Sequence, residues 1–411
     1  MKLLSLLKIG LMATTALGAG SALAQDKVAK IGILAPLTGG SAADGQEMVN
    51  GAQMAVNEIN AAGGVAGYKL EIVVGDTMDQ TADAVTTAFE RLAGDRDLHA
   101  MMTGYASGSN FEIELMAEQQ MVYLISANSA QTRDIIGPAP ENYPTVWSIT
   151  PSYDAYETEM IPVLDTLAAS GALTLPNKKV ALISSDNPYS KTIMDGLSAS
   201  FTEAGWEVTS TDLLPFGQIN DWRAFLQGVR EAAPAVIINT DYQPGNAATF
   251  MTQFLEQPTN SLVFIQYAPS VPEFLELTKE KSTGVVYNLL GGALDVAANP
   301  RASEVAAKYK DTFGNAPGYY GPALYEQIYI YADALAQVGD ASKRLEIGAV
   351  IGATDRQIVS GRLRFDPETH LSVQGNEGIP IQFFQLWEGE RVMFYPDAYS
   401  TGSFKMPPWM Q

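Results

Sequence analysis

From Val28 onward, short runs of β-branched and apolar residues alternate with longer segments whose apolar positions recur every three or four residues. That alternation predicts a parallel sheet flanked by helices. Strands are expected at residues 30–34, 70–74, 98–103 and 122–125. The helix after the first strand carries Met48, Ala52, Ala55, Val56 and Ile59, and others are expected at 80–92 and 109–119. Gly63-Gly64 ends the first helix, since a left-handed residue commonly closes a helix C-terminus. A second run in the same pattern follows Trp147-Ser148-Ile149-Thr150-Pro151. Its strands are expected at 179–183, 207–213, 235–239 and 262–266, with helices at 189–203, 221–232 and 244–257. The last stretch is less regular, with a strand at 284–289, helices at 302–313 and 323–338, and a closing hairpin at 381–387 and 391–394. The pattern describes an α/β chain of two doubly wound parallel-sheet lobes, with no short repeat that would indicate a solenoid.

The length of 411 residues suits two or three domains, and 46% hydrophobic with 17% charged residues is the composition of a folded chain. Formal charge changes the picture more. At −21, with no cluster of Lys or Arg, the chain is not expected to bind nucleic acid or an anionic membrane surface. No Cys is present, which removes disulfides, thiolate metal sites and lipid attachment at Cys. Residues 1–24 have Lys2 and Lys8, then an apolar stretch from Ile9 to Leu17, then Ala22-Leu23-Ala24. They read as a cleaved secretory signal that is too short to span a bilayer. Its removal takes the formal charge to −23 and leaves a freely diffusing protein, expected in the periplasm without a membrane anchor.

No enzyme machinery is legible. There is no phosphate-binding Gly-rich loop ending in Lys-Ser/Thr and no dinucleotide fingerprint after the first strand. Gly104-Tyr105-Ala106-Ser107-Gly108 misses a nucleophile elbow by one position. His99 and His370 have no motif partners and read as structural or exposed. No catalysis, cofactor or metal is expected.

Open α/β sheets bind ligands in loops at the C-terminal ends of their strands. Two such loops are rich in donors, Gly104 to Asn110 and Ser126-Ala127-Asn128-Ser129. The first leads into a helix, whose free N–H groups and dipole would hold a carboxylate, and the second follows the next strand and so lies near the same sheet edge; the alternative is that Ser107 or Ser109 is simply an N-cap. In the second half, Tyr189, Tyr242 and Tyr267 each follow a strand, offering a flat face and a hydroxyl. Most of the aromatic run Tyr319, Tyr320, Tyr325, Tyr329 and Tyr331 is expected to pack in the core, with Tyr325 the one expected to reach a cleft.

Together with the exported signal and the two wound halves, Ile33-Leu34-Ala35-Pro36-Leu37-Thr38-Gly39, Asn50-Gly51-Ala52, Ile59-Asn60-Ala61-Ala62-Gly63-Gly64-Val65 and Gly361-Arg362-Leu363-Arg364-Phe365-Asp366 carry a resemblance. The chain resembles the periplasmic leucine/isoleucine/valine-binding protein family, the type I solute-binding proteins of ABC transporters. The resemblance spans essentially the whole mature chain. It implies two lobes joined by three crossover segments, residues 25–149 plus 289–370 and residues 150–288 plus 371–411, that close over a small solute. It further implies an ABC permease as partner, a monomer, and a small amino acid or related carboxylate as ligand.

Carried over by position, the carboxylate-binding Ser is Ser107 or Ser109, and the second donor loop is Ala127, Asn128 and Ser129. The aromatic positions are Tyr189, Tyr242 and Tyr325, while a family Tyr in the first loop is replaced near Asp44. Ala268 stands where amino-acid binders carry an acid for the ligand ammonium, so either Asp44 or Asp241 supplies that charge or the ligand has none. In the latter case Gln266 and Tyr267 would serve an amide, hydroxyl or aromatic ring. Alternative readings are a binder of an amide, urea or aromatic carboxylate, and a periplasmic sensor module presenting its ligand to a receptor.

Overall fold

The computed structural model describes residues 27–410, so the expected signal segment lies outside the described residues. The first half forms strands β1 (Lys27–Ala35), β2 (Tyr68–Asp76), β3 (Leu98–Thr103), β4 (Val122–Ile125) and β5 (Val146–Ser148). All five run parallel in the order β2-β1-β3-β4-β5. β3 and β4 are buried along most or all of their length, as strands covered by helices on both faces must be. The second half supplies β6 (Lys179–Ser185), β7 (Glu207–Leu214), β8 (Val236–Asn239), β9 (Leu262–Ile265) and β10 (Val286–Leu290).

A small antiparallel hairpin, β11 (Asp355–Ile358) with β12 (Gly361–Arg364), holds the Gly361 to Asp366 motif. β13 (Ile381–Trp387) and β14 (Glu390–Tyr395) then join the second sheet, whose order is β14-β13-β10-β9-β8-β6-β7. Only β13 runs against the others, pairing antiparallel with both β10 and β14. The chain thus leaves the first half after β5, returns after β10, and crosses again before β13.

The return segment completes the first lobe. Helix Tyr320–Val338 lies along helix Ala42–Ala61. The two backbones approach so closely that a Cβ on Gly51 would stand 1.9 Å from the Gly321 carbonyl oxygen, so only glycine fits. Gly63 and Gly64, both at positive φ, close helix Ala42–Ala61 as the sequence predicts, and the Gly64 N–H reaches the Ile59 carbonyl at 2.9 Å.

Several elements have no counterpart in the sequence reading. They are β5, β11, β12 and the helices Ser129–Ile136, Asp154–Thr158, Met160–Ala169, Pro272–Thr278 and Arg344–Gly352. Most are short, and a short buried run shows little periodicity. His370 is buried, stacks on Trp147 with ring centroids 4.0 Å apart, and contacts the Val146 carbonyl through Nδ1 at 3.0 Å. It locks β5 to the third crossover.

Candidate ligand-binding cleft

A cavity of about 250 Å3 opens between the two sheets, where the C-terminal ends of their strands face one another. Every parallel strand except β1 sends a residue to its wall. From the first sheet come Gln80 after β2, Tyr105 and Gly108 after β3, Ser126, Ala127 and Asn128 after β4, and Thr150, Tyr153 and Tyr156 after β5. The second sheet contributes Asn187, Pro188 and Tyr189 after β6, Phe216 after β7, Tyr242 after β8, Tyr267 after β9 and Leu290 at the end of β10. Tyr319 and Tyr320, at the start of helix Tyr320–Val338, close the back. Winding both sheets in the same sense puts these loops on one side, the geometry that makes such crevices binding sites.

Eight of the wall residues are tyrosines, and they touch in sequence. Tyr153 meets Tyr189 at 5.3 Å between centroids, Tyr189 meets Tyr242 at 5.7 Å, Tyr242 meets Tyr105 at 6.2 Å, and Tyr105 meets Tyr320 at 5.3 Å, all edge to face. The Tyr105–Tyr242 contact crosses from one lobe to the other. So do the Tyr242 hydroxyl, 3.4 Å from Gln80 Oε1, and the Tyr267 hydroxyl, which donates to Asp44 Oδ1 at 2.8 Å.

Asp44 therefore lies behind the wall. Its second oxygen accepts from the Tyr105 hydroxyl at 2.7 Å, so one buried carboxylate holds a tyrosine from each lobe. Burial pushes this carboxyl up to about 7, against the two hydroxyls that favour its charged form. Asp241 is also buried behind the wall, accepting from the Gln243 N–H at 2.9 Å and Asn246 Nδ2 at 2.8 Å, and burial raises it to about 6.

Of the residues singled out from sequence, the structure brings Ala127, Asn128, Tyr189, Tyr242 and Tyr267 to the wall. Ser107 is turned away: its Oγ donates to Glu112 Oε2 at 2.5 Å and its N–H points to Oε1 of the same buried carboxylate at 3.4 Å. Ser109 is exposed. Ser129 is buried just behind Asn128. Gln266 is buried behind Tyr189 and donates to its hydroxyl at 3.3 Å.

Tyr325 corrects the sequence expectation. Its hydroxyl donates to Glu58 Oε2 at 2.7 Å on the face of helix Tyr320–Val338 packed against helix Ala42–Ala61. Five residues along a helix is well over one turn, so Tyr320, in the run expected from sequence to be mostly core, faces the cavity instead. Sequence reasoning also passed over Tyr105, Tyr153, Tyr156, Phe216 and Tyr319. For Tyr105 and Phe216 the available signal was the one used for Tyr189 and Tyr242, an aromatic residue within a few positions of a strand end, whereas Tyr153 and Tyr156 follow β5, a strand the sequence reading does not contain.

The Ser126–Ser129 loop holds an unexpected occupant. The N–H groups of Asn128 and Ser129, at the free end of helix Ser129–Ile136, turn to the hydroxyl oxygen of Tyr153. Asn128 adopts φ +53°, a conformation Asn tolerates better than most residues, and its Nδ2 donates to the Ser107 carbonyl at 2.8 Å.

Two wound sheets with a shared, tyrosine-walled crevice define a bilobal solute-binding protein of type I architecture. The chain belongs to the periplasmic binding protein family, whose pattern it matches over residues 28–375. Within that family it is similar to Leu/Ile/Val-binding protein homolog 7 of Brucella abortus (strain 2308), 24% identical over 405 residues covering 96% of this chain and 98% of that protein. Among solved structures it superposes on a putative branched-chain amino acid ABC transporter protein from Silicibacter pomeroyi with a TM-score of 0.82 and 29% identity, covering 93% of this chain and all of that one. A solute-binding protein from R. palustris in complex with benzoate shares the fold at a TM-score of 0.74 and 16% identity, covering 92% and 99% of the two chains. The protein is thus a solute-binding member of that family.

Proposed function

We propose that this protein captures a small solute between its lobes and delivers it, chemically unchanged, to an ABC permease. The observation that carries this reading is the cavity itself, walled by residues of both lobes and bridged by Asp44–Tyr267 and Gln80–Tyr242. A solute that touches both walls favours the closed form, because only differential contact shifts an open–closed balance. The wall offers aromatic faces and hydroxyls and, among the described residues, no arrangement of nucleophile and base, which supports binding rather than catalysis. A cavity of about 250 Å3 lies at or just below the low end of small-molecule sites, which run to roughly 300–1,000 Å3.

The lobes in this reading are residues 25–149 plus 289–370 and residues 150–288 plus 371–411. Residues 1–24 act as a cleaved signal, and the absence of Cys leaves the mature protein without a lipid anchor. The family relationship supports an amino acid or related carboxylate as the default solute. Of the second reading, an amide, urea or aromatic carboxylate, the donor loops occupied by Tyr153 and Glu112 favour the amide. Small-angle scattering tests the proposal: the radius of gyration is expected to fall when a solute found by thermal-shift screening of amino acids, amides and aromatic acids saturates the protein. Unchanged dimensions with bound solute would refute capture by closure.

A further inference from the structure

Near the cavity the backbone N–H groups and buried carboxylates that could meet a charged end of a solute are already engaged by the protein, which leaves the neutral Ser129 Oγ and Gln266 Oε1 without a partner. The Asn128 and Ser129 N–H groups face the Tyr153 hydroxyl, and the hydroxyl and N–H of Ser107 face Glu112. These are the two places where an anion would otherwise sit. The buried carboxylates are equally occupied: Asp44 by Tyr105 and Tyr267, Asp241 by Gln243 and Asn246. No Lys, Arg or His lines the cavity, and Asp79 and Asp186, which do, are exposed at its mouth where water screens them. A carboxylate or an ammonium entering this space would lose its hydration and find no free group of opposite charge, a cost of several kcal/mol for a buried charge without a counter-charge. An uncharged solute carries no such cost. The Tyr320 hydroxyl remains without a hydrogen-bond partner among the described residues, so one group able to donate and accept faces the interior.

We propose that the cleft selects an uncharged solute with a flat apolar part and one hydrogen-bonding group, of the amide class, and that Tyr153 excludes carboxylates by occupying their seat. This rests on the reading of the cleft as a solute trap. Titration calorimetry on the mature full chain tests it with benzamide, benzoate and benzylammonium, which share a ring and differ mainly in charge, and with leucine, an aliphatic zwitterion. Benzamide is expected to bind at least roughly tenfold tighter than each of the others. Tyr153→Phe, which frees two N–H groups, is expected to improve benzoate relative to benzamide by roughly tenfold. Tightest binding of any charged probe to the wild-type protein overturns the proposal and leaves solute capture standing.

A second measurement needs no variant. The small molecule released on denaturing natively purified protein is identified by mass spectrometry; an uncharged amide supports the proposal and a carboxylate or amine refutes it. No binding of the four probes together with no released molecule overturns both this class and solute capture.

Discussion

Ser107 shows how a side chain that reads as a ligand donor becomes a structural one. Its hydroxyl and N–H satisfy Glu112, a carboxylate buried beneath the β3 loop and raised by that burial. Ser107→Ala is therefore expected to lower stability by about 1–3 kcal/mol, the cost of removing a donor from a buried acid, while changing solute affinity less than about twofold. Urea denaturation beside calorimetry separates the two effects. Asp44 has the opposite history: suggested as a counter-charge, it anchors two wall tyrosines. Tyr267 sits at φ +60°, costly for a non-glycine residue, and its hydroxyl bond to Asp44 helps hold it there.

The Asp44 carboxyl lies near 7 and Asp241 near 6, both above the ordinary value of 3.8. Folding therefore takes up protons that the unfolded chain has released, so these groups lower stability as pH rises from about 4 to about 7 and add nothing further above it. Glu47 and Glu273 push Asp44 in the same direction as burial does. Asp44→Asn is expected to flatten the fall of melting temperature between about pH 5 and 7. A slope equal to that of wild type would assign it to other groups.

At the scale of elements, the most demanding contact is the crossing of helix Ala42–Ala61 by helix Tyr320–Val338. Gly51→Ala would place a methyl group against the Gly321 backbone, which cannot withdraw as a flexible side chain could. We expect a loss of about 1–3 kcal/mol in chemical denaturation, with an unchanged value showing that the helices can separate freely. Arg301 and the buried Glu326 join the neighbouring elements, at 2.5 and 2.9 Å, and Glu326 also accepts from the Val359 N–H at 3.1 Å in the turn of the β11–β12 hairpin. The same long helix delivers Tyr319 and Tyr320 to the cavity. The packing that completes the first lobe is what positions the back wall.

Strands β3, β4 and β13 were legible to the residue, and most others to within a few residues, because apolar runs bounded by polar loops leave little choice of position. Elements such as β5 and helix Pro272–Thr278 were not legible, since β5 is only three residues long and the helix, at seven residues, makes under two turns, too few to show a helical period. In the candidate site, residues at strand ends could be named, but which side chain turned inward could not. Tyr320 rather than Tyr325 reaches the cavity because helix phase is set by contact with helix Ala42–Ala61.

For the whole molecule, closure is the property that matters. Tyr267→Phe keeps the ring in the wall and removes the Asp44 bond between the lobes. It is expected to weaken solute binding by roughly tenfold and to shift the solute-free protein toward larger dimensions by scattering. Wild-type affinity and dimensions would show that this bond contributes nothing to closure.

The order of apolar and polar positions determined by itself the class of fold and the loops that would face a ligand. Those properties follow from local periodicity and composition, which need no knowledge of distant neighbours. Tertiary structure alone decided that Glu112 and Tyr153 would fill the donor loops, and that Asp44 would bind a tyrosine from each lobe. Glu112 turns its carboxylate back to Ser107 only within the packed β3 loop, Tyr153 comes from a different loop than the amides it faces, and Tyr267 lies 223 residues from Asp44. Which hydrogen-bonding groups stay free for a solute is a matter of three-dimensional proximity, and no pattern along a chain encodes it.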